Sequence, residues 1–251
     1  MSTMTIEASP QVYARAGGAL YLAIILLGGF SEGYVSSQML VAGDVAHTAR
    51  NILGSPQLWR LGVAADFLVV IFAVPLLWIE YLLLRPVSRQ WVLLAVLFNL
   101  VSLGVEAISK LFLMAVVPTL AHAGSLHAFS PEQAQVLADL ALRSHDIAFN
   151  IALVFFGGTC IVNGWLIFRS GYLPRFVGVL MQLAGLAYLI ACFAALFAPV
   201  LANLIIPAIL VLPLIGESSM SLWLLIKGVN VTKWNEQVSR GRALTRAHAI
   251  V

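Results

Sequence analysis

The residues of this sequence that could do chemistry are ionisable side chains set inside long apolar segments. Glu106 and Lys110 lie four residues apart with the acid first, the order that favours an ion pair on one helical face. His145 could join carboxylates from other segments as a proton relay or as a metal ligand. Such a set would serve proton transfer, cation binding or acid/base catalysis.

Glu217 has the strongest claim to a function among these residues. It lies in the polar stretch 216–219 of the last apolar segment, with no Lys or Arg three or four positions away along the sequence. A charge at the centre of a bilayer costs at least about 2.5–3.5 kcal/mol. Glu217 must therefore carry a proton or pair with a cation from another segment, for which Arg60 and Lys110 are the candidates.

The composition explains why these charges are conspicuous. Of 251 residues, 61% are hydrophobic and only 10% are charged, whereas soluble domains average about 25% charged residues. So few charges cannot cover the surface of a soluble globule, which excludes a soluble enzyme, a nucleic-acid binder and a disordered chain. We expect an all-α membrane protein whose main partner is the lipid bilayer.

Six segments are long and apolar enough to cross a membrane, and we expect them to form an antiparallel bundle. Their predicted bounds are 13–35, 58–84, 90–117, 142–168, 174–198 and 203–228. Ser130 and Pro131 predict that the fourth helix begins earlier, with Ser as its N-cap. Pro207 and Pro213 predict a kink in the last segment.

The basic residues predict the orientation of the bundle. On this topology 10 of the 14 Lys and Arg residues fall on one side, and that side is cytoplasmic by the positive-inside rule. Both termini are then cytoplasmic, with an N-terminal tail at 1–12, a transmembrane domain at 13–228 and a basic tail at 229–251. The tryptophans are expected in belts at the two boundaries, with Trp59 at the outer one and Trp234 at the inner one.

Most ionisable residues in the segments fall in the outer half or at the centre, which predicts a polar pocket that opens outward. The candidate pocket residues are Glu217, Asp66, Arg60, Glu106, Lys110, His145, Asp146, Asn150 and Glu32. Glu80 is the exception, because it lies near the inner boundary, where snorkelling to the interface would suffice.

The first outer loop predicts a short helix that caps the bundle. Asp44 is suited to accept hydrogen bonds at the start of a helix through 45–53, and Asn51 lies on the same segment. His47 is isolated there, and no His or Cys spacing along the chain is typical of a metal site.

Three functions remain open on the residues alone. The first is a membrane protein that binds or moves a small molecule or proton through the outward pocket. The second is a membrane enzyme that acts on a lipophilic substrate with carboxylates as acid and base. The third is a structural or accessory subunit. No nucleotide, zinc-protease or serine-hydrolase motif is present, and the sequence indicates no cofactor and no oligomeric state.

Several short motifs resemble the bacterial domain-of-unknown-function family 4386. They include Gly43-Asp44 followed by Asn51-Ile52, Arg60-Leu61-Gly62 with Asp66, Phe155-Phe156-Gly157, Arg169-Ser170-Gly171-Tyr172-Leu173-Pro174-Arg175 and Gly216-Glu217. The similarity runs over roughly 10–228. This resemblance implies a multi-pass protein of the bacterial plasma membrane, and it implies no particular activity.

Overall fold

The structure is a computed structural model that describes residues 9–122 and 130–248, and within those ranges all regular structure is helical. A π-helical segment, Gly29–Val35, follows the first helix directly. The α-helices in chain order are α1 (Pro10–Gly28), α2 (Ser36–Met39), α3 (Val45–Gly54), α4 (Pro56–Leu84), α5 (Arg89–His122), α6 (Pro131–Ser170), α7 (Arg175–Phe197), α8 (Pro199–Ile209), α9 (Val211–Ile226) and α10 (Val231–His248).

Five stretches of helix are long and apolar enough to cross a membrane, and a bent pair would make six. The five are Pro10–Met39, Pro56–Leu84, Arg89–Ala121, Pro131–Ser170 and Arg175–Phe197. Large apolar side chains are widely exposed on them and on α8, such as Phe197 at 76% and Leu204 at 78%. A soluble monomer rarely exposes so much apolar surface, so the chain is a membrane protein.

The last apolar segment is broken rather than continuous. Pro199–Ile206 and Val211–Ile226 are inclined by 52° at the break between them. The predicted kink is therefore present, and Pro213 is the third residue of the second piece. Proline removes a backbone donor and is tolerated in the first turn of a helix, which accounts for a restart at Val211.

The helices divide into two compact units. The first unit comprises the described residues of Met1–Leu22, Ala73–Ser102 and Leu153–Val251, and the second comprises those of Ala23–Phe72 and Leu103–Ala152. The single domain expected over 13–228 stays a prediction.

Close backbone contacts join α6 and α7 in the first unit. A Cβ atom at Gly164 would lie 2.6 Å from the Gly178 carbonyl oxygen, and one at Gly185 would lie 2.5 Å from that of Gly157. In membranes small residues let helices approach closely, because lipid leaves little hydrophobic drive for association. The two glycine pairs therefore bring this hairpin into backbone contact.

The segment expected as a basic tail contains helix α10, which packs within the first unit. Trp234 is fully buried and its Nε1 donates to the Leu83 carbonyl oxygen at 3.3 Å. The Tyr172 hydroxyl donates to the same oxygen at 2.6 Å, and burial raises the pKa of Tyr172, so this donor keeps its proton. The indole of Trp234 thus caps the end of α4 from inside the protein, and its expected position at the inner boundary stays a prediction.

The second unit is built on a cluster of buried apolar side chains contributed by the π-helical segment and α2 to α6. Trp59, expected at the outer boundary, is buried in this cluster, and its Nε1 donates to the Leu113 carbonyl oxygen at 3.3 Å. The members are Val35, Met39, Ala49, Ile52, Trp59, Leu113, Val116, Val117, Leu120 and Ala138. This packing fixes the helices that carry the ionisable residues of the unit.

Two predicted helix starts in the second unit are confirmed. Asp44 Oδ1 accepts from the His47 backbone N–H at 2.8 Å at the start of α3. Ser130 Oγ accepts from the Gln133 N–H at 3.3 Å, and the Gln133 side chain accepts in return from the Ser130 N–H. The second pair is a capping box, which satisfies two otherwise unpaired donors.

Replacing Asp44 with Ala should destabilise the first turn of α3. The Asp44 side chain accepts from a backbone N–H that would otherwise lack a partner, and losing such a cap costs about 1 kcal/mol. Asn51 and Thr48 also hold this helix, through the Met39 and Val41 backbone groups respectively, so α3 should fray without unfolding. Amide hydrogen exchange would detect faster exchange confined to 45–48, and unchanged exchange there would contradict the assignment.

Candidate functional site

A buried lysine is the centre of an ionic cluster in the second unit. Lys110 on α5 is 1% exposed, and its Nζ lies 3.0 Å from Asp66 Oδ2 on α4. Glu32 Oε1 of the π-helical segment lies 3.8 Å from Nζ and Glu106 Oε1 lies 3.9 Å from it. The expected Glu106–Lys110 pair is present, although Asp66 is the nearer partner. Three carboxylates thus surround one ammonium group.

The π-helical segment explains how Glu32 reaches this cluster. A π-helix is wider than an α-helix, is rare, and is often found at functional sites. It occupies Gly29–Val35, between α1 and α2, and so it changes the direction of the side chains it carries. The Glu32 side chain remains 37% exposed, whereas Asp66 is 3% exposed. Glu32 is therefore the accessible end of the cluster and Asp66 the buried end.

His145 on α6 completes the cluster and restricts where its protons can be. Its Nδ1 lies 3.3 Å from the Ser109 carbonyl oxygen and its Nε2 lies 3.5 Å from Glu32 Oε1. A carbonyl oxygen only accepts, so the tautomer that suits this contact has its hydrogen on Nδ1. A neutral ring would then direct the Nε2 lone pair at a carboxylate, which is repulsive. A second proton, on Nε2 or on Glu32, turns this contact into a hydrogen bond.

Phe149 contacts both His145 and Lys110. Its ring stacks on that of His145 with centroids 5.6 Å apart, and Lys110 Nζ lies 4.6 Å from its centroid. The face of an aromatic ring attracts a cation, so Phe149 stabilises the ammonium group. Sequence reasoning missed Phe149, although its position four residues after His145 places the two rings on the same face of a helix.

A small cavity opens beside these groups. Its volume is about 30 Å³, and its polar lining includes Ser31, Glu32, Asp66, His145 and Asp146. A cavity needs about 10–15 Å³ to hold one water molecule. The cavity therefore has room for water or a hydrated proton next to His145.

Glu32, Asp66 and His145 also have the spacing of metal ligands. One ligand atom from each lies within 4.8 Å of the other two. The sequence raised His145 with carboxylates of other segments as metal ligands, and the structure adds Glu32 to His145 and Asp66. The ammonium group of Lys110 already lies 3.0 Å from Asp66. A metal ion bound by these three residues would have to displace the Lys110 ammonium group from Asp66.

The remaining predicted residues of the second unit are not members of this cluster. Arg60 is exposed and, within the described part of the chain, has no acidic group at ion-pair distance. Asp146 is exposed and lines the cavity. Asn150 donates to the Asp146 backbone oxygen at 2.8 Å, which is a contact within its own helix.

Glu217 belongs to the first unit. It is 9% exposed and accepts a hydrogen bond from the Tyr188 hydroxyl at 2.5 Å. Glu80 is also in this unit, and the expectation that it snorkels to an interface is wrong, because it is 7% exposed and accepts from Asn163 Nδ2 at 3.0 Å. Sequence reasoning missed Asn163 and Tyr188, since each partner lies on another helix.

Comparison with known proteins agrees with the resemblance in the motifs. Residues 16–228 match the sequence profile described as Domain of unknown function (DUF4386). An "Uncharacterized protein" from Archaeoglobus fulgidus is 24% identical over 133 residues, which is 51% of this chain and 63% of the archaeal protein. No solved structure matches the chain. Because the profile covers most of its length, the chain belongs to the DUF4386 family of membrane proteins.

Proposed function

We propose that this protein binds and moves protons through the ionic cluster of the second unit. The observation that carries the proposal is the pairing of His145, whose Nδ1 faces a carbonyl oxygen while its Nε2 faces Glu32. With Nδ1 donating to that oxygen, the contact with Glu32 becomes favourable when the pair holds an extra proton. The Glu32 side chain is 37% exposed, so this proton can exchange with the surroundings.

The order of exposure supports a path for the proton. Glu32 is the accessible group, and His145 at 3.5 Å from it and Asp66 beside Lys110 are buried. Lys110 keeps the inner carboxylates in place. A proton would enter at Glu32, pass to His145 and reach Asp66 through water in the cavity.

The size of the cavity favours a proton over an organic ligand. Pockets for drug-sized ligands are about 300–1,000 Å³, whereas this cavity is about 30 Å³. An enzyme that acts on a lipophilic substrate would need room for the substrate beside its carboxylates. The cluster offers room for water.

The proposal includes the finer topology expected from the sequence. The protein would be a multi-pass protein of the bacterial plasma membrane, with six spans if Pro199–Ile206 and Val211–Ile226 act as one broken span. Both termini would be cytoplasmic, because the expected topology assigns 10 of the 14 basic residues to one side and the positive-inside rule makes that side cytoplasmic. The cavity would then open outward.

Replacing His145 with Gln should abolish proton flux. Gln can still donate to the Ser109 carbonyl oxygen but cannot take up the second proton. The purified protein is reconstituted into vesicles that contain a pH-sensitive dye, and a potassium diffusion potential drives protons inward. Wild-type vesicles should acidify faster than protein-free vesicles, and His145→Gln vesicles should acidify at the protein-free rate.

His47→Gln is the matched control, because His47 is exposed on α3. It should transport protons at the wild-type rate. Equal rates for wild-type and protein-free vesicles, or a wild-type rate in His145→Gln, would reject proton movement by this cluster and leave the ion pairs a structural role.

A further inference from the structure

A second buried polar site lies in the first unit, formed by Glu80 of α4 and Asn163 of α6. The two residues are 7% and 4% exposed. Asn163 Nδ2 donates to Glu80 Oε2 at 3.0 Å. Neither residue was part of the expected pocket, and neither takes part in the cluster around Lys110.

The other end of the Asn163 amide is a buried acceptor that lacks a donor. Across the described residues, Asn163 Oδ1 is the one buried side-chain oxygen or nitrogen found without a hydrogen-bond partner. Leaving a buried polar atom unsatisfied is costly, and native proteins rarely do so. Oδ1 therefore requires a hydrogen-bond donor or a cation.

Glu80 also lacks a partner for its charge, because an ionised Glu80 carboxylate would be buried without an opposite charge beside it. Within residues 9–122 and 130–248, no basic side chain lies within 4.0 Å of its carboxylate. The titratable groups that interact with it electrostatically are Tyr21 of α1, Cys160 of α6 and Glu217 of α9. None of these three groups supplies a positive charge.

We propose that Glu80 binds a proton, which it shares with Asn163 Oδ1. A protonated carboxyl group has one O–H donor and keeps acceptor capacity. Its O–H would donate to Oδ1 while Oε2 continues to accept from Nδ2. One proton thus removes the buried charge and satisfies the unpaired oxygen, and the residues form a closed carboxylic acid–carboxamide pair.

Turning the amide by 180° does not remove this requirement. Asn163 Oδ1 would then take the place of Nδ2 and lie 3.0 Å from Glu80 Oε2. Two acceptors at that distance repel unless a proton lies between them. Both orientations therefore place a proton in this pair.

Infrared spectroscopy of the full-length protein in nanodiscs at neutral pH tests the proposal directly. The wild-type spectrum minus that of Glu80→Gln should contain a carbonyl band of a protonated carboxylic acid. Asn163→Leu should keep this band and move it to higher frequency, because the carbonyl loses the Nδ2 hydrogen bond. Glu236→Gln is the matched control, since Glu236 is exposed on α10, and it should remove a carboxylate band instead.

Three outcomes would overturn the assignment. One is that Glu80→Gln removes carboxylate bands, as the control does. Another is that Asn163→Leu leaves the carbonyl band unmoved, a readout that stands even when Glu80→Gln fails to fold. The last is that replacing sodium with choline changes the carboxylate bands of the wild type, which would assign a metal cation to Asn163 Oδ1. The band should persist in His145→Gln, so the result is independent of proton movement in the second unit.

Discussion

Replacing Lys110 with Met is expected to lower the free energy of unfolding by about 3–5 kcal/mol, the usual cost of removing one partner from a buried ion pair. Met has a similar length and suits a helix. It would leave Asp66, Glu32 and Glu106 facing one another without the ammonium group that now lies 3.0 to 3.9 Å from each. Unfolding by SDS in mixed micelles, followed by circular dichroism, measures the change.

Arg143→Met is the matched control for this measurement. Arg143 pairs with Asp139 at 2.7 Å on the exposed side of α6, and its side chain is 68% exposed. Exposed pairs contribute little, so this variant should unfold close to the wild-type midpoint. Adding Asp66→Leu to Lys110→Met should recover part of the loss, since it removes a buried charge. A Lys110→Met protein as stable as wild type would show that the cluster does not depend on the ammonium group.

Replacing Trp234 with Ala is expected to cost about 3–5 kcal/mol, the range for a fully buried large aromatic side chain. The indole of Trp234 is completely buried and donates to the Leu83 carbonyl oxygen. Its loss opens a cavity beneath α10 and removes one of the two donors to that oxygen. The same SDS titration measures the free energy, and limited proteolysis of α10 reports whether the helix detaches.

Two further variants isolate the cause of the Trp234 effect. Trp78→Ala changes a tryptophan that is 59% exposed and should have a small effect. Trp234→Phe keeps most of the apolar volume but has no N–H, so it should fall between wild type and Trp234→Ala. If Trp234→Ala unfolded with the wild-type midpoint and α10 stayed resistant to protease, α10 would not be part of the first unit.

Local signals in the sequence were sufficient to predict several parts of the fold. Asp44 and Ser130 predicted helix starts, because an N-cap requires only a side chain and the amides that follow it. The spacing of Glu106 and Lys110 predicted their contact because residues four apart lie on the same face of a helix. The apolar segments predicted helices of membrane-spanning length, although their orientation stays a prediction.

Contacts between distant residues could not be predicted in this way. Asp66 is 44 residues from Lys110, and only the packing of α4 on α5 brings them together. The π-helical turn at Glu32 has no local signal, and it decides which way this carboxylate points. Glu80 was misinterpreted because its position near the inner boundary suggested an interface, while its actual partner, Asn163, is 83 residues away.

The way the chain is divided has a consequence for the order of biosynthesis. Every residue of the second unit lies at or before Ala152, whereas the first unit also requires Leu153–Val251 and ends with α10. Domains generally fold as units and the N-terminal one first during synthesis. The lysine and its carboxylates can therefore neutralise one another while the ribosome is still translating, before the residues from Leu153 onward, which include Asn163 and Glu217, have joined the fold.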